Sequence, residues 1–74
     1  MVLAMKYLVV IEATETGYSA YSPDLPGCAS TGETREAAEQ SMAEAIAFHL
    51  EGLAMEGLEV PQPSTTSAYI EVAA

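Results

Sequence analysis

The stretch REAAEQSMAEAIAFHLEGLAMEG, residues 35 to 57, limits the possible folds more than any other part of the chain. Thr34 is placed to cap its first turn, Glu36 sits near the positive end of the helix dipole, and Gly57 is placed to stop it. A helix of about 22 residues is roughly 33 Å long at 1.5 Å per residue. Projected at 100° per residue, Ala38, Met42, Ala45, Ile46, His49, Leu50 and Leu53 share one broad face, with Gln40, Glu44, Ala47 and Glu51 opposite. Such a helix needs an apolar surface of similar length beneath it.

The preceding residues can supply that surface. MKYLVVIEA, residues 5 to 13, alternates Tyr7, Val9 and Ile11 with Lys6, Leu8, Val10 and Glu12, which predicts a strand with two largely apolar faces. Thr14-Glu15-Thr16-Gly17 then reads as a hairpin loop, followed by a second strand in YSAYS. Pro23 and Pro26 interrupt that strand, Gly27 allows a tight turn, and Asp24 is suited to an Asx-type turn. A short third strand then fits at CAST, Gly32 serves as a further turn residue, and Thr34 begins the helix. After the Pro-rich VPQPS, the alternation of Ala68, Ile70 and Val72 with Tyr69 and Glu71 predicts a last strand from about Thr66 to Val72. The order is β-β-β-α-β, an α+β fold formed by residues 1–74 as one domain.

Seventy-four residues give a thin core, and the lone Cys28 cannot form an internal disulfide. No Cys/His cluster offers a structural metal either, so self-association into a dimer or tetramer is the expected remedy. Two basic and eleven acidic residues set the net charge at −9. That charge repels phosphate backbones and anionic lipid, so neither direct nucleic-acid binding nor membrane binding is expected. The opening MVLAMKYLVVIEA has no basic n-region, and Glu12 interrupts its apolar run; a cytoplasmic protein is the expectation.

Candidate chemistry is sparse, and no cofactor or metal is expected. Cys28 and His49 formally offer a nucleophile and a base, but neither has a local catalytic signature, and both also suit packing roles. Glu12 and Asp24 would have to meet for a minimal metal-dependent nuclease, a reading opposed by the charge and by the scarcity of cations, Lys6 and Arg35 being the whole supply. Gly27 and Gly32 match no phosphate-loop spacing. The helix glutamates Glu36, Glu44 and Glu51 are either a solvated face or a docking surface for a basic partner. Phe48 and Met55, seven residues apart, are either a margin of the core or an apolar patch for that partner.

The run GYSAYSPDLPGCASTGETREAAEQSMAEAIAFHLEGLAMEGLEVPQPS resembles the HicB family of antitoxin-like domains. The matching features are an aromatic and an alanine before PDLPGC, the S-T-G-E-T that follows, the E-A-A helix opening, A-I-A-F-H-L-E-G-L, and P-x-P before the final strand. Pro23, Asp24, Pro26, Gly27, Cys28, Gly32 and Thr34 carry the fold motif. The resemblance implies a partial RNase H-like fold without the nuclease carboxylates. It also implies an antitoxin of a type II toxin–antitoxin pair, whose basic HicA toxin has a double-stranded-RNA-binding-like fold and cleaves mRNA. Many family members add a C-terminal operator-binding segment, which residues 1–74 do not include. The expected function is therefore non-catalytic neutralisation of a basic toxin. A nuclease relic, or a small structural or regulatory oligomer with another partner, is the alternative.

Overall fold

The computed structural model describes residues 4–74. Three antiparallel strands, β1 (Val10–Ala13), β2 (Tyr18–Tyr21) and β3 (Ala29–Gly32), form one sheet in the order β1-β2-β3, and the helix α1 (Arg35–Met55) follows. The α+β class is that implied by the sequence.

The β1–β2 loop closes on itself. Thr14 donates its backbone N–H to the Gly17 carbonyl at 2.8 Å, and its hydroxyl accepts from Gly17 N–H at 3.1 Å. Cross-strand register then places Ile11 opposite Ala20 and Ala20 opposite Ser30, a row on the helix side. Val10, Tyr21 and Ala29 form the neighbouring row, which points the other way.

β1 is shorter than its alternation predicts. Its partner β2 ends at Tyr21, opposite Val10. Pro23 then turns the chain away, and Ser22 N–H bonds to the Cys28 carbonyl rather than back to the first strand. Residues 5–9 thus have no ladder, although Tyr7 and Val9 still pack against the core.

PDLPGC forms two successive turns. Leu25 N–H bonds to Ser22 O at 3.1 Å, and Cys28 N–H to Leu25 O at 3.0 Å. In the second turn Pro26 and Gly27 occupy the central positions and Gly27 has φ +80°, the geometry of a type II turn. The double turn drives Leu25 inward until it is fully buried with Ala38 and Met42, alongside Ala20 and Cys28.

Two residues, Glu33 and Thr34, connect β3 to α1. Thr34 caps the helix, its hydroxyl accepting from Ala37 N–H at 3.0 Å. Gly32 has no positive φ, so its role is not the turn assigned from sequence. A Cβ there would lie 2.8 Å from the Ala38 Cα, a distance real side chains do not reach, and the missing side chain lets the helix start directly on the sheet. At the other end Gly57, with φ +69°, completes a Schellman stop: Gly57 N–H bonds to Ala54 O and Leu58 N–H to Leu53 O.

The final strand expected at residues 66–72 is not formed within this chain, since residues 58–74 carry no strand pairing.

Two stability predictions follow from the double turn. Gly27→Val should lower stability by about 1–2 kcal/mol, because a Cβ there meets open space and only the backbone conformation is penalised. Thermal melting checks this, and an unchanged Tm would contradict the strain. The Ser22 hydroxyl is buried without a hydrogen-bond partner, so Ser22→Ala should raise stability by about 1 kcal/mol. Urea titration would show this as a higher midpoint at unchanged slope.

Candidate functional site

α1 presents two faces with different chemistry. Ala38 and Met42 are fully buried, and Ala45, Ile46, His49, Leu50 and Leu53 are partly so, which is the inner set the projection predicts. On the outer face Glu44, Phe48, Glu51 and Met55 follow at i, i+4, i+7 and i+11 and form one stripe. Phe48 is 78% exposed and Met55 81%, so neither is a margin of the core. Gln40 donates to the Glu44 carboxylate at 3.2 Å, one turn above. Glu36 is exposed but stands about 12 Å along the axis from Glu44, turned away from the stripe.

Beside this stripe lies a groove of ≈ 380 Å³ between the second half of α1 and the start of β3. Cys28, Ala45 and Gly52 line it together with Phe48, His49 and Leu53, and Glu56 is also at its wall. Gly52 borders open space in it: a Cβ there would touch nothing within 4 Å. Glycine in a helix interior costs about 1 kcal/mol relative to alanine, so Gly52 within this helix is the sequence signal for the groove.

The structure brings Cys28 and His49 to the same groove. Burial pushes the Cys28 thiol above its ordinary range, which keeps it protonated at neutral pH and unlike an activated nucleophile. Cys28 acts as a small apolar residue in the core.

Glu12 and Asp24 are not brought together. Glu12 lies opposite Ser19, toward the hairpin loop, whereas Asp24 lies in the turn beyond Tyr21, past the other end of β2. Among the described residues, no group of three or more His, Cys, Asp or Glu side chains is placed to hold a metal ion.

Asp24 has other partners. Instead of closing its own turn, its carboxylate accepts the backbone N–H groups of Ser64 (3.0 Å) and Thr65 (3.1 Å) and their hydroxyls (3.2 and 2.7 Å). These bonds, the Thr65 hydroxyl first, hold its pKa below the ordinary carboxylate value. Nearby in the tail, the Tyr7 hydroxyl donates to the Pro61 carbonyl at 2.6 Å. The motif residues Pro23, Asp24, Pro26, Gly27 and Cys28 therefore build one corner that buries Leu25, floors the groove and clamps residues 64 and 65.

Fold and surface define a small α+β domain marked by an acidic helix face with apolar side chains, an adjoining groove and a pinned C-terminal segment. The profile of the HicB-like antitoxin of bacterial toxin–antitoxin systems matches residues 7–73, and the chain belongs to that family. It is 35% identical over 71 residues to Antitoxin HicB 2 of Photorhabdus laumondii, covering 95% of this chain and 51% of that protein. It is 39% identical over 66 residues to an uncharacterized 14.9 kDa protein of Haemophilus phage HP1, covering 89% and 50%. A UPF0150 protein of Synechocystis is 42% identical over 57 residues, covering 76% and 72%. The chain thus spans about half the length of the first two relatives and nearly three quarters of the third. No helix among the described residues is long and apolar enough to cross a membrane.

The clamp makes a pH prediction. Because the folded pKa of Asp24 is depressed, the clamp is intact above the unfolded value of about 3.9 and is lost as pH falls through the lower folded value. The amide proton shifts of Ser64 and Thr65 should titrate together below that unfolded value. In Asp24→Ala they should sit at their low-pH positions and not titrate. Titration at the ordinary aspartate value would contradict the clamp.

Proposed function

We propose that this chain is an antitoxin that neutralises a basic, mRNA-cleaving toxin of the HicA type by direct binding, and that its outer helix face and groove form the contact. Support for this reading comes first from the family and then from the stripe of Phe48 and Met55, each about four-fifths exposed, set among Glu44 and Glu51 on a chain of net charge −9. The glutamates steer a cationic RNA-binding surface into place and oppose anionic competitors, which mainly raises the association rate. The apolar pair and the groove beside it supply desolvated anchors, the part of an interface that carries most of the affinity. Covering a toxin's RNA-binding surface blocks its reaction without any chemistry on the antitoxin's side. Contact takes place in the cytoplasm, where the toxin meets mRNA.

The test is co-expression with the product of a neighbouring basic open reading frame. The pair should co-purify, mRNA cleavage should stop, and complex formation should slow at least tenfold between low and high salt as the Debye length falls from about 30 Å at 0.01 M to about 3 Å at 1 M. Phe48→Asp should weaken the complex at least tenfold with an unchanged Tm, since its side chain is already in solvent. Gly52→Leu should fill the groove and weaken binding while the helix content is kept or raised. Binding that is insensitive to both substitutions would remove this surface from the proposal. Failure to bind any neighbouring basic product would favour a regulatory domain with another partner.

A further inference from the structure

α1 ends against the usual electrostatic rule. The C-terminus of a helix carries a partial negative charge, which cations stabilise and carboxylates destabilise within the last turn. Here the last turn holds no basic residue, and Glu56 occupies the C-cap itself. Glu51 stands before it and Glu59 after it, while no lysine or arginine follows Arg35 in the sequence. Among the described residues the one ion pair joins Arg35 to Glu39 at the far end of the helix, so the Glu56 carboxylate has no cation of its own. The carbonyls of Met55 and Glu56 likewise accept no backbone N–H among those residues. A local rule broken with nothing nearby to offset it marks a place to look for binding.

Glu56 is also a wall of the groove beside α1. Phe48, Gly52 and Glu56 follow one another four residues apart, so each stands about 6 Å further along the axis on the same side of the helix. The first is an exposed ring, the second has open space where a side chain would be, and the third is an exposed carboxylate. Ala45, Leu53 and Cys28 add apolar lining. His49, also on the groove, is about 10 Å along the axis from Glu56, toward the other end. An apolar slot closed at one end by uncompensated negative charge fits a side chain with a hydrocarbon stem and a cationic head.

We propose that this groove is a slot for one arginine side chain of the protein partner: its methylenes lie over Gly52 against Phe48 and Leu53, and its guanidinium meets the Glu56 carboxylate at the end of α1. The proposal deepens the toxin-binding reading above and rests on it for the identity of the partner. The guanidinium suits the site better than an ammonium does. Its planar fork of five N–H donors matches the two carboxylate oxygens and the free carbonyls of the helix end together. It is also the more weakly hydrated cation, so it gives up less on leaving water for an apolar wall, whereas the lysine head is a compact and strongly hydrated point charge.

The slot gives the acidic surface a selectivity that net charge alone does not. A field from a charge of −9 draws in any basic protein and acts mainly on the rate of encounter. A slot that takes one guanidinium acts on contact, so it sets how slowly the complex comes apart and which basic partner is kept. A neutral or acidic side chain entering the groove would leave Glu56 without a counter-charge.

An NMR chemical-shift titration of the full chain at low ionic strength, with no toxin present, tests the slot with Nα-acetyl-arginine amide as the probe. The amide signals of residues 48–56 and of Cys28 and Ala29 should shift and saturate together. Nα-acetyl-citrulline amide, the neutral isostere, should leave them in place, and Nα-acetyl-lysine amide should bind about threefold more weakly than the arginine probe. Glu56→Gln should weaken arginine binding about threefold, with a Tm unchanged or raised because an acid has been removed from the helix end. Glu15→Gln makes the same change in net charge in the exposed hairpin loop and should leave binding as it was. Shifts that never saturate and spread over all the acidic residues, equal binding of the citrulline or lysine amide, or indifference to Glu56→Gln would each overturn the slot. The two readings fail separately: loss of the slot leaves co-purification with a basic toxin standing, and a toxin that does not bind leaves saturable arginine binding in place.

Discussion

The approach of α1 to β3 at Gly32 leaves no room for even a methyl group, and most of the structure is set by it. With only Glu33 and Thr34 between strand and helix, the first turn must begin directly above the sheet, and a side chain at position 32 would collide with the backbone of Ala37 and Ala38. That contact fixes both the height and the rotation of the helix. Ala38 and Met42 then point into the sheet, and the periodicity of 3.6 carries the setting down the remaining turns to Met55. The outward stripe of Glu44, Phe48, Glu51 and Met55 is the geometric complement of the same choice. A helix rotated by one residue would bury Phe48 at the cost of Met42.

The corner at PDLPGC is the second fixed point, and it links core to tail. Leu25, driven inward by two turns, fills the space beneath the helix that a short sheet cannot cover. The same two turns leave Asp24 facing out, where it takes four hydrogen bonds from residues 40 and 41 positions later. An acceptor-only carboxylate that receives two N–H and two O–H donors is well satisfied, which is why the acid form is disfavoured. A residue that looks from sequence like a local turn-former is thus a long-range tether.

The division between what was legible in the sequence and what was not follows the range of the interactions. The helix was legible because its determinants are local: the Thr34 hydroxyl reaches Ala37, Gly57 adopts its positive φ, and the inner set repeats within one segment. The hairpin and the left-handed Gly27 were legible for the same reason. The extent of β1 was not, because it is limited by where β2 ends rather than by its own alternation. The partners of Asp24, the close approach at Gly32 and the groove beside Gly52 depend on residues brought together only in the folded chain. The final strand shows the same limit: periodicity states that residues 66–72 suit a ladder, but not which edge they pair with.

A sheet of three four-residue strands cannot shield both faces of its own apolar residues, and the consequences are visible in the core. Among the described residues, the fully enclosed apolar set is Ala20, Leu25, Cys28, Ala38 and Met42, while Tyr7, Val9, Ile11, Tyr18, Ile46 and Leu50 are only partly covered. A longer ladder would cover more of these side chains, but β2 ends at Tyr21, opposite Val10. The small size of the ordered sheet and the partial cover of its core therefore have one cause. The double turn at Pro23–Gly27 ends β2 early, and Tyr7 and Val9, which that ladder does not pair, are held by packing against the core instead.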